Sequence, residues 1–260
     1  MIAVRDLSVS FGGRRVAHVP TLDLAPGELV GLAGESGSGK SMTSMAILGL
    51  APALGASVTG SVKLQDRELL GLPEKELLDL RGRRIAMVMQ SPRGSLNPTM
   101  RLGKLMEKTL ATHGIEKADA RERTAAALAD VRLDEELLRR YPHQVSGGQA
   151  QRFAIALAVA MRAEVLLADE PTSALDVTVQ AEVLDTLNRL RAEHGTAILL
   201  VSHDLAVLGR YADRLVVMRS GEVVEQGVTR DVLTSPTTDY TRELVAAVPV
   251  IGASRPQVSA

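Results

Sequence analysis

The chain has 260 residues, 45% hydrophobic and 23% charged, with a formal net charge of −1. This is the composition of an ordinary globular protein with a sizeable core, and the charge balance gives no argument for wrapping nucleic acid or coating an anionic membrane. The lack of cysteine excludes disulfides, thiolate metal sites and iron–sulfur ligation, and fits a reducing compartment.

Strand patterns open the chain at Ile2 to Val9 and Leu22 to Leu24 and predict a small β-rich layer. Phe11 lies in that layer and fits either stacking on a nucleotide base or core packing. Glu28 to Ala33 then reads as a buried strand and Met42 to Leu50 as a helix. Between them, Gly34-Glu35-Ser36-Gly37-Ser38-Gly39-Lys40-Ser41 has a glycine, four free positions and then Gly-Lys-Ser. Glycines let backbone N–H groups crowd an anion at a helix N-terminus, Lys40 supplies charge for the outer phosphates, and the Ser41 hydroxyl is placed to ligate magnesium. A nucleoside triphosphate is the expected ligand, with Gly34, Ser36, Gly37, Ser38, Gly39, Lys40, Ser41 and Met42 around it; a flexible Gly/Ser turn is the plain alternative.

Val62 to Leu64 and Ile85 to Met89 read as further strands, the second ending at Gln90, a candidate to orient water or magnesium. Residues 91–144 lack strong strand runs and carry helical stretches at Leu102 to Leu110 and Ala118 to Val131. Val145-Ser146-Gly147-Gly148-Gln149 opens another helical pattern through Arg152, Ile155, Ala156 and Val159. Its N-terminus is either a second anion site or simply a capped turn. One triphosphate needs no second loop from the same subunit, so the anion-site reading predicts a dimer. Residues 91–158 are thus expected to form a helical subdomain inserted into an α/β core of residues 1–90 and 159–260, all within a single domain.

The core resumes with the apolar strand Val165 to Ala168, which delivers Asp169 and Glu170 to the sheet edge where open α/β folds bind ligands. Asp169 is expected to hold magnesium through its water shell and Glu170 to polarise the attacking water, against a plain alternative of two exposed turn acids. Val179, Val183, Leu187 and Leu190 repeat at helical spacing between a cap at Asp176 and a stop at Gly195. Ala197 to Val201 is the next buried strand, followed by His203, placed either to touch the γ-phosphate or to serve the fold. Leu215 to Met218 and Glu222 to Glu225 flank Arg219-Ser220-Gly221 as a hairpin, and the tail from Gly252 is expected to fray. The apolar run Phe153 to Met161 is far too short to cross a bilayer. Charges at Arg5 and Asp6 do not suit a secretory leader, so the chain is expected to stay where it is made and to need a spanning partner for any membrane role.

Taken in this order, the motifs resemble the ATP-binding subunit of an ABC transporter over nearly the whole chain. Gly34 to Ser41 is similar to the Walker A motif, Gln90 to the Q-loop, Val145 to Gln149 to the signature, Val165 to Glu170 to Walker B, Ser173-Ala174-Leu175-Asp176 to the D-loop, and His203 to the switch histidine. Gln90-Ser91-Pro92, Ser95-Leu96-Asn97-Pro98, Tyr141-Pro142-His143-Gln144 and Asp239-Tyr240-Thr241-Arg242 resemble the peptide and nickel importer branch. Val145, Ala150 and Met42 depart from the residues common there without removing a catalytic group.

The resemblance implies a RecA-like parallel sheet with an antiparallel β layer, and two cassettes closing head to tail over ATP and Mg²⁺. Glu170, His203 and Gln90 would be catalytic, with Ser41, Gln90 and Asp169 at the metal. Ser146, Gly147, Gly148, Gln149 and Asp176 would serve the nucleotide from the opposing subunit. It further implies two transmembrane permease subunits, a second ATP-binding subunit that is often a paralogue, an extracytoplasmic binding protein acting indirectly, and a peripheral place on the cytoplasmic membrane face. Nucleic acid is not an expected partner; a soluble relative acting on nucleic acid or ribosomes is the alternative, and this chain lacks the basic stripe it would need.

Overall fold

The computed structural model describes residues 1–90, 92–173 and 175–248. The tail expected to fray from Gly252, and Ser91 and Ala174 of the motifs above, lie outside the described residues.

Ten strands form one sheet: β1 (Ile2–Phe11), β2 (Arg14–Leu24), β3 (Leu29–Ala33), β4 (Ser57–Leu64), β5 (Arg67–Glu68), β6 (Ile85–Val88), β7 (Val165–Asp169), β8 (Ala197–Ser202), β9 (Arg214–Arg219) and β10 (Glu222–Val228). Their order is β5-β4-β1-β2-β10-β9-β3-β8-β7-β6. The half containing β9, β3, β8, β7 and β6 is parallel, whereas β1, β2, β4 and β5 pair antiparallel.

The parallel strands are buried on both faces, and their side chains divide by the two-residue period of a strand. Leu29, Leu166, Ala168, Ile198, Leu200, Leu215 and Val217 point into one core with the helices. The alternating Val30, Leu32, Val165, Leu167, Leu199, Val201, Val216 and Met218 join Ile2, Val4, Leu7 and Val9 of β1 in a second core. The sheet is therefore the partition between two hydrophobic cores, and its strand ends are held from both sides.

Strand β2 is longer than the expected Leu22 to Leu24, and the reason is local. Pro20 would ordinarily demote a strand, but it falls where the β1–β2 register passes from Thr21 to Val19 opposite Asp6, whose φ is 47°. The same irregularity meets Gly60 on β4, where a Cβ would lie 2.4 Å from the Asp6 carbonyl oxygen. Helix α1 (Lys40–Ile47) begins two residues earlier and ends sooner than its apolar pattern suggests.

After α2 (Glu74–Leu80), the segment between β6 and β7 contains α3 (Pro92–Ser95), α4 (Leu102–Thr112), α5 (Lys117–Asp130) and α6 (Gly147–Ala160), with no strand among its described residues. Leu102, Met106 and Leu110 bury one face of α4 with Ala127 and Leu128 of α5 and Phe153 of α6. Asp176 caps α7 (Val177–His194), accepting from the Val179 amide at 3.0 Å, and Gly195 ends it at φ 66°. The remaining helices are α8 (Leu205–Tyr211), α9 (Thr229–Thr234) and α10 (Asp239–Ala246). The β9–β10 hairpin closes through Ser220 (φ 48°) and Gly221 (φ 87°), the paired positive φ values of a tight two-residue turn.

Candidate functional site

The loop between β3 and α1 sits at the carboxyl ends of the parallel strands, the edge at which such sheets bind ligands. Its shape excludes other residues. Gly34 has φ 146° and a Cβ there would lie 2.2 Å from the Met218 carbonyl oxygen; at Gly39, with φ 99°, it would lie 2.6 Å from that of Val16. The loop thus presses against β9 and β2, and the Gly221 amide donates to the Ser38 carbonyl at 3.1 Å.

Lys40 is buried, and its Nζ donates to the carbonyls of Gly34 and Glu35, both at 2.7 Å. Burial lowers its pKa, while Glu170, Asp169 and Glu35 act to raise it. Ser41 donates its hydroxyl proton to Asp169 Oδ1 at 3.0 Å. Asp169 is also buried, and that burial raises its pKa; the Ser41 bond and the Lys40 charge oppose the rise and the charge of Glu170 adds to it. For both Lys40 and Asp169, burial is the largest cause of the shift.

Glu170 leaves β7 with φ 45°, an uncommon conformation for a non-glycine residue, pinned by its amide donating to the Val201 carbonyl at 3.0 Å. Its carboxylate accepts from Gln90 Nε2 at 3.0 Å and lies 3.1 Å from His203 Nδ1. A carboxylate only accepts, so Nδ1 carries the proton and Nε2 is left for a second partner.

A cavity of ≈ 680 Å³ is lined by Gly34, Ser36, Gly37, Gly39, Lys40, Ser41, Met42, Gln90, Glu170 and His203. The structure therefore brings together residues from three strand ends and the glycine loop. Ser38 is buried beside the cavity, its Oγ 3.4 Å from Lys40 Nζ, and Asp169 joins through Ser41. Gln90, expected at the metal as well as at catalysis, commits its amide to Glu170.

The structure does not bring Phe11 into the cavity wall: it packs partly buried against the core under β1. Ser146, Gly147, Gly148 and Gln149 also lie apart from this cavity. They start α6, where Ser146 Oγ accepts from the Gln149 amide at 3.2 Å and Gln149 Oε1 accepts from the Ser146 amide at 3.0 Å, a reciprocal cap. Asp176 is likewise used as a cap.

Val16, Glu35 and Leu244 line the cavity without having been assigned to it from the sequence. Among the described residues, one other group has metal-ligand spacing, Asp130, Glu193 and His194. It precedes β8, at the opposite sheet edge from His203, and its His194 Nε2 is paired to Asp130 Oδ2 at 2.9 Å. No helix among the described residues is long and apolar enough to cross a membrane.

The sequence model of the ABC transporter family matches residues 18–173. The chain is 46% identical over 258 residues to the peptidoglycan transport ATP-binding protein YejF of Agrobacterium fabrum, covering 96% of this chain and 47% of the relative. It is 42% identical to the oligopeptide transport ATP-binding protein OppD of Salmonella typhimurium, covering 96% and 76%. The chain thus spans about half the length of the first relative and about three-quarters of the second. Among solved structures, the dimeric post-hydrolysis state of the cassette MJ0796 bound to ADP and Pi aligns with TM-score 0.76 at 28% identity, covering 88% of this chain and 99% of that one. CbiO1 from Clostridium perfringens, part of the transporter complex cbiONQ, aligns with TM-score 0.79 at 25% identity over 96% of each chain.

Proposed function

The chain belongs to the ABC transporter family, and on that premise we propose that it is the ATP-hydrolysing subunit of a peptide importer. The observation that carries the chemistry is the convergence of the glycine loop, Gln90, Glu170 and His203 on one cavity, with Ser41 and Asp169 bonded beside it. Loop amides and Lys40 grip the phosphates. In this structure the Lys40 ammonium is held by two loop carbonyls, and a triphosphate supplies the counter-charge those neutral oxygens lack.

Magnesium fits the donor set, since a hydroxyl and a buried carboxylate 3.0 Å apart are hard oxygen ligands. When bound, the ion neutralises charge on the outer phosphates. Glu170 takes the role of base, accepting a proton from the attacking water at one of its carboxylate oxygens. Each of those oxygens here takes one hydrogen bond, from Gln90 and from His203, which orient the carboxylate and leave a further lone pair on each oxygen for the water. In the full assembly His203 and Gln90 sense the γ-phosphate.

Ser146 to Gln149 do not face this chain's own cavity, which supports their serving a nucleotide held by a second ATP-binding subunit. The solved cassette that aligns with this chain is itself a dimer holding ADP and Pi. Asp176 would stand at the same junction. Phe11, outside the cavity wall here, is proposed to stack on the base from the end of β1. Residues 91–144 would move as the lever, following Gln90 and pressing on two permease subunits from the cytoplasmic membrane face, with an extracytoplasmic binding protein delivering cargo. The second ATP-binding subunit is proposed to be a paralogue. Peptide cargo is favoured over nickel by the relatives, which are peptidoglycan and oligopeptide transport proteins and not factors acting on nucleic acid or ribosomes.

Glu170→Gln tests the assignment: ATP binding is retained and turnover falls by about 10²- to 10⁴-fold. Lys40→Ala weakens binding itself, read with a fluorescent ATP analogue. Normal turnover in the first variant, or unchanged affinity in the second, removes the corresponding role.

A further inference from the structure

The segment Asp239-Tyr240-Thr241-Arg242 has no task in the hydrolysis scheme, yet it packs onto the phosphate loop. Tyr240 is 4% exposed, and its hydroxyl oxygen accepts from the Glu35 amide at 3.2 Å. The Arg219 guanidinium lies over its ring, 4.6 Å from the centroid. One turn further along α10, Leu244 is part of the cavity wall.

We propose that α10 belongs to the nucleotide site, with Tyr240 as a positioning residue for the phosphate loop; the proposal rests on the assignment of the cavity to ATP. The peptide group of Glu35 is a junction. Its carbonyl accepts from Lys40 Nζ at 2.7 Å and from the Ser38 amide at 3.2 Å, while its neighbouring amide is held by Tyr240. Fixing Glu35 therefore fixes the turn to Ser38 and the place from which the Lys40 ammonium meets phosphate. Lys40 has three rotatable donors on a flexible stem, so its direction depends on such acceptors.

The clamp is itself anchored to the sheet. Glu225 of β10 is 8% exposed, and its carboxylate accepts from the Thr237 amide at 2.8 Å, the Thr238 amide at 3.1 Å and Thr238 Oγ1 at 3.0 Å. Thr238 Oγ1 in turn accepts from the Thr241 amide at 3.2 Å, capping α10. A chain of hydrogen bonds thus runs from β10 through the start of α10 and Tyr240 to Glu35 and Lys40. A preordered loop binds more tightly because less chain entropy is lost when the ligand arrives.

The test is Tyr240→Phe, which keeps the ring under Arg219 and removes the acceptor. A fluorescent ATP analogue is titrated into the nucleotide-free wild type, Tyr240→Phe and Lys40→Ala. Tyr240→Phe is expected to bind about three- to tenfold more weakly, the scale of one lost hydrogen bond, with KM for ATP rising in parallel and kcat changing less. Affinity within about 1.5-fold of wild type, even with a lowered melting temperature, overturns the positioning role. Failure of the wild type to bind overturns the ATP assignment instead, so the two failures are distinguishable. A second measurement needs no variant: in the nucleotide-free wild type, hydrogen exchange at the Glu35 amide should be at least about tenfold slower than at exposed Gly37. Equal exchange at the two amides also overturns the proposal.

Discussion

Replacing Gly148 by alanine would separate packing from nucleotide recognition at the start of α6. A Cβ at this position would lie 2.2 Å from Val179 Cγ1 and 3.6 Å from Val179 Cβ, so α6 must move away from α7 or Val179 must yield. Overpacking of this kind costs about 1–3 kcal/mol, and alanine returns about 1 kcal/mol through its better helix propensity. The net loss for Gly148→Ala is therefore about 0–2 kcal/mol. Displacement of the α6 N-terminus by about 1 Å would misplace Ser146 and the following amides, at an expected loss on the order of 10²-fold in ATP turnover. Val179 is partly buried, and Val179→Ala removes both Cγ atoms at an expected cost of about 1 kcal/mol. The double variant should be more stable than the sum of the singles by about 1–2 kcal/mol. Because the added methyl points at α7, its turnover should recover to within about tenfold of wild type. Urea unfolding and phosphate release measure the two quantities. Additivity of the two substitutions would refute the packing argument. Restored stability without restored turnover would refute the inference that the backbone and Ser146 do the work at this helix start.

Two further outcomes follow from named contacts. Burial alone would raise the Glu225 pKa, but hydrogen bonds from Thr237, Thr241 and Thr238 outweigh it and lower it to about 2, from 4.5. A folded-state pKa below the unfolded one stabilises the protein above pH 4.5, by about 3 kcal/mol at neutral pH, and that contribution is lost as pH falls from about 4.5 to about 2. Glu225→Gln should flatten the acid dependence in that window while lowering stability at pH 7; an unchanged acid profile would contradict the hydrogen-bond account. Gly34→Ala combines φ 146° with a methyl 2.2 Å from the Met218 carbonyl oxygen, so it should cost at least about 3 kcal/mol and abolish analogue binding. Wild-type stability in denaturant would contradict the close approach of the loop to β9.

The phosphate loop, the strand ends at Gln90, Glu170 and His203, and the caps at Asp176 and Gly195 were legible because each uses local chemistry: a glycine spacing, an apolar run, a helix stop. The sheet order was not, since it depends on β10 reaching β2 through the single pair Glu222 and His18. The start of β2 was hidden by Pro20 and by charges at Arg14 and Arg15, although Gly12-Gly13 is the two-residue turn signal that marks it. With β2 shortened, Val16 could not be placed at the cavity. Tyr240 and Leu244 were missed for a different reason: they lie some 200 residues from the loop they touch, and no periodicity in a short terminal helix points to its partner. At Gly148 the sequence offers an anion site or a capped turn, both local readings, whereas its contact with Val179 depends on tertiary packing.

The central claim, that this cavity is half of an ATPase site completed by a second subunit, is tested most directly by the specific activity of the purified chain, mixed with an equal amount of its partner ATP-binding subunit, across about a hundredfold dilution in saturating ATP and magnesium. Two-subunit catalysis predicts activity per chain that rises with concentration and then levels off, with the rise moved to lower concentration by an excess of the partner subunit. Activity per chain that stays constant over the whole range would contradict it.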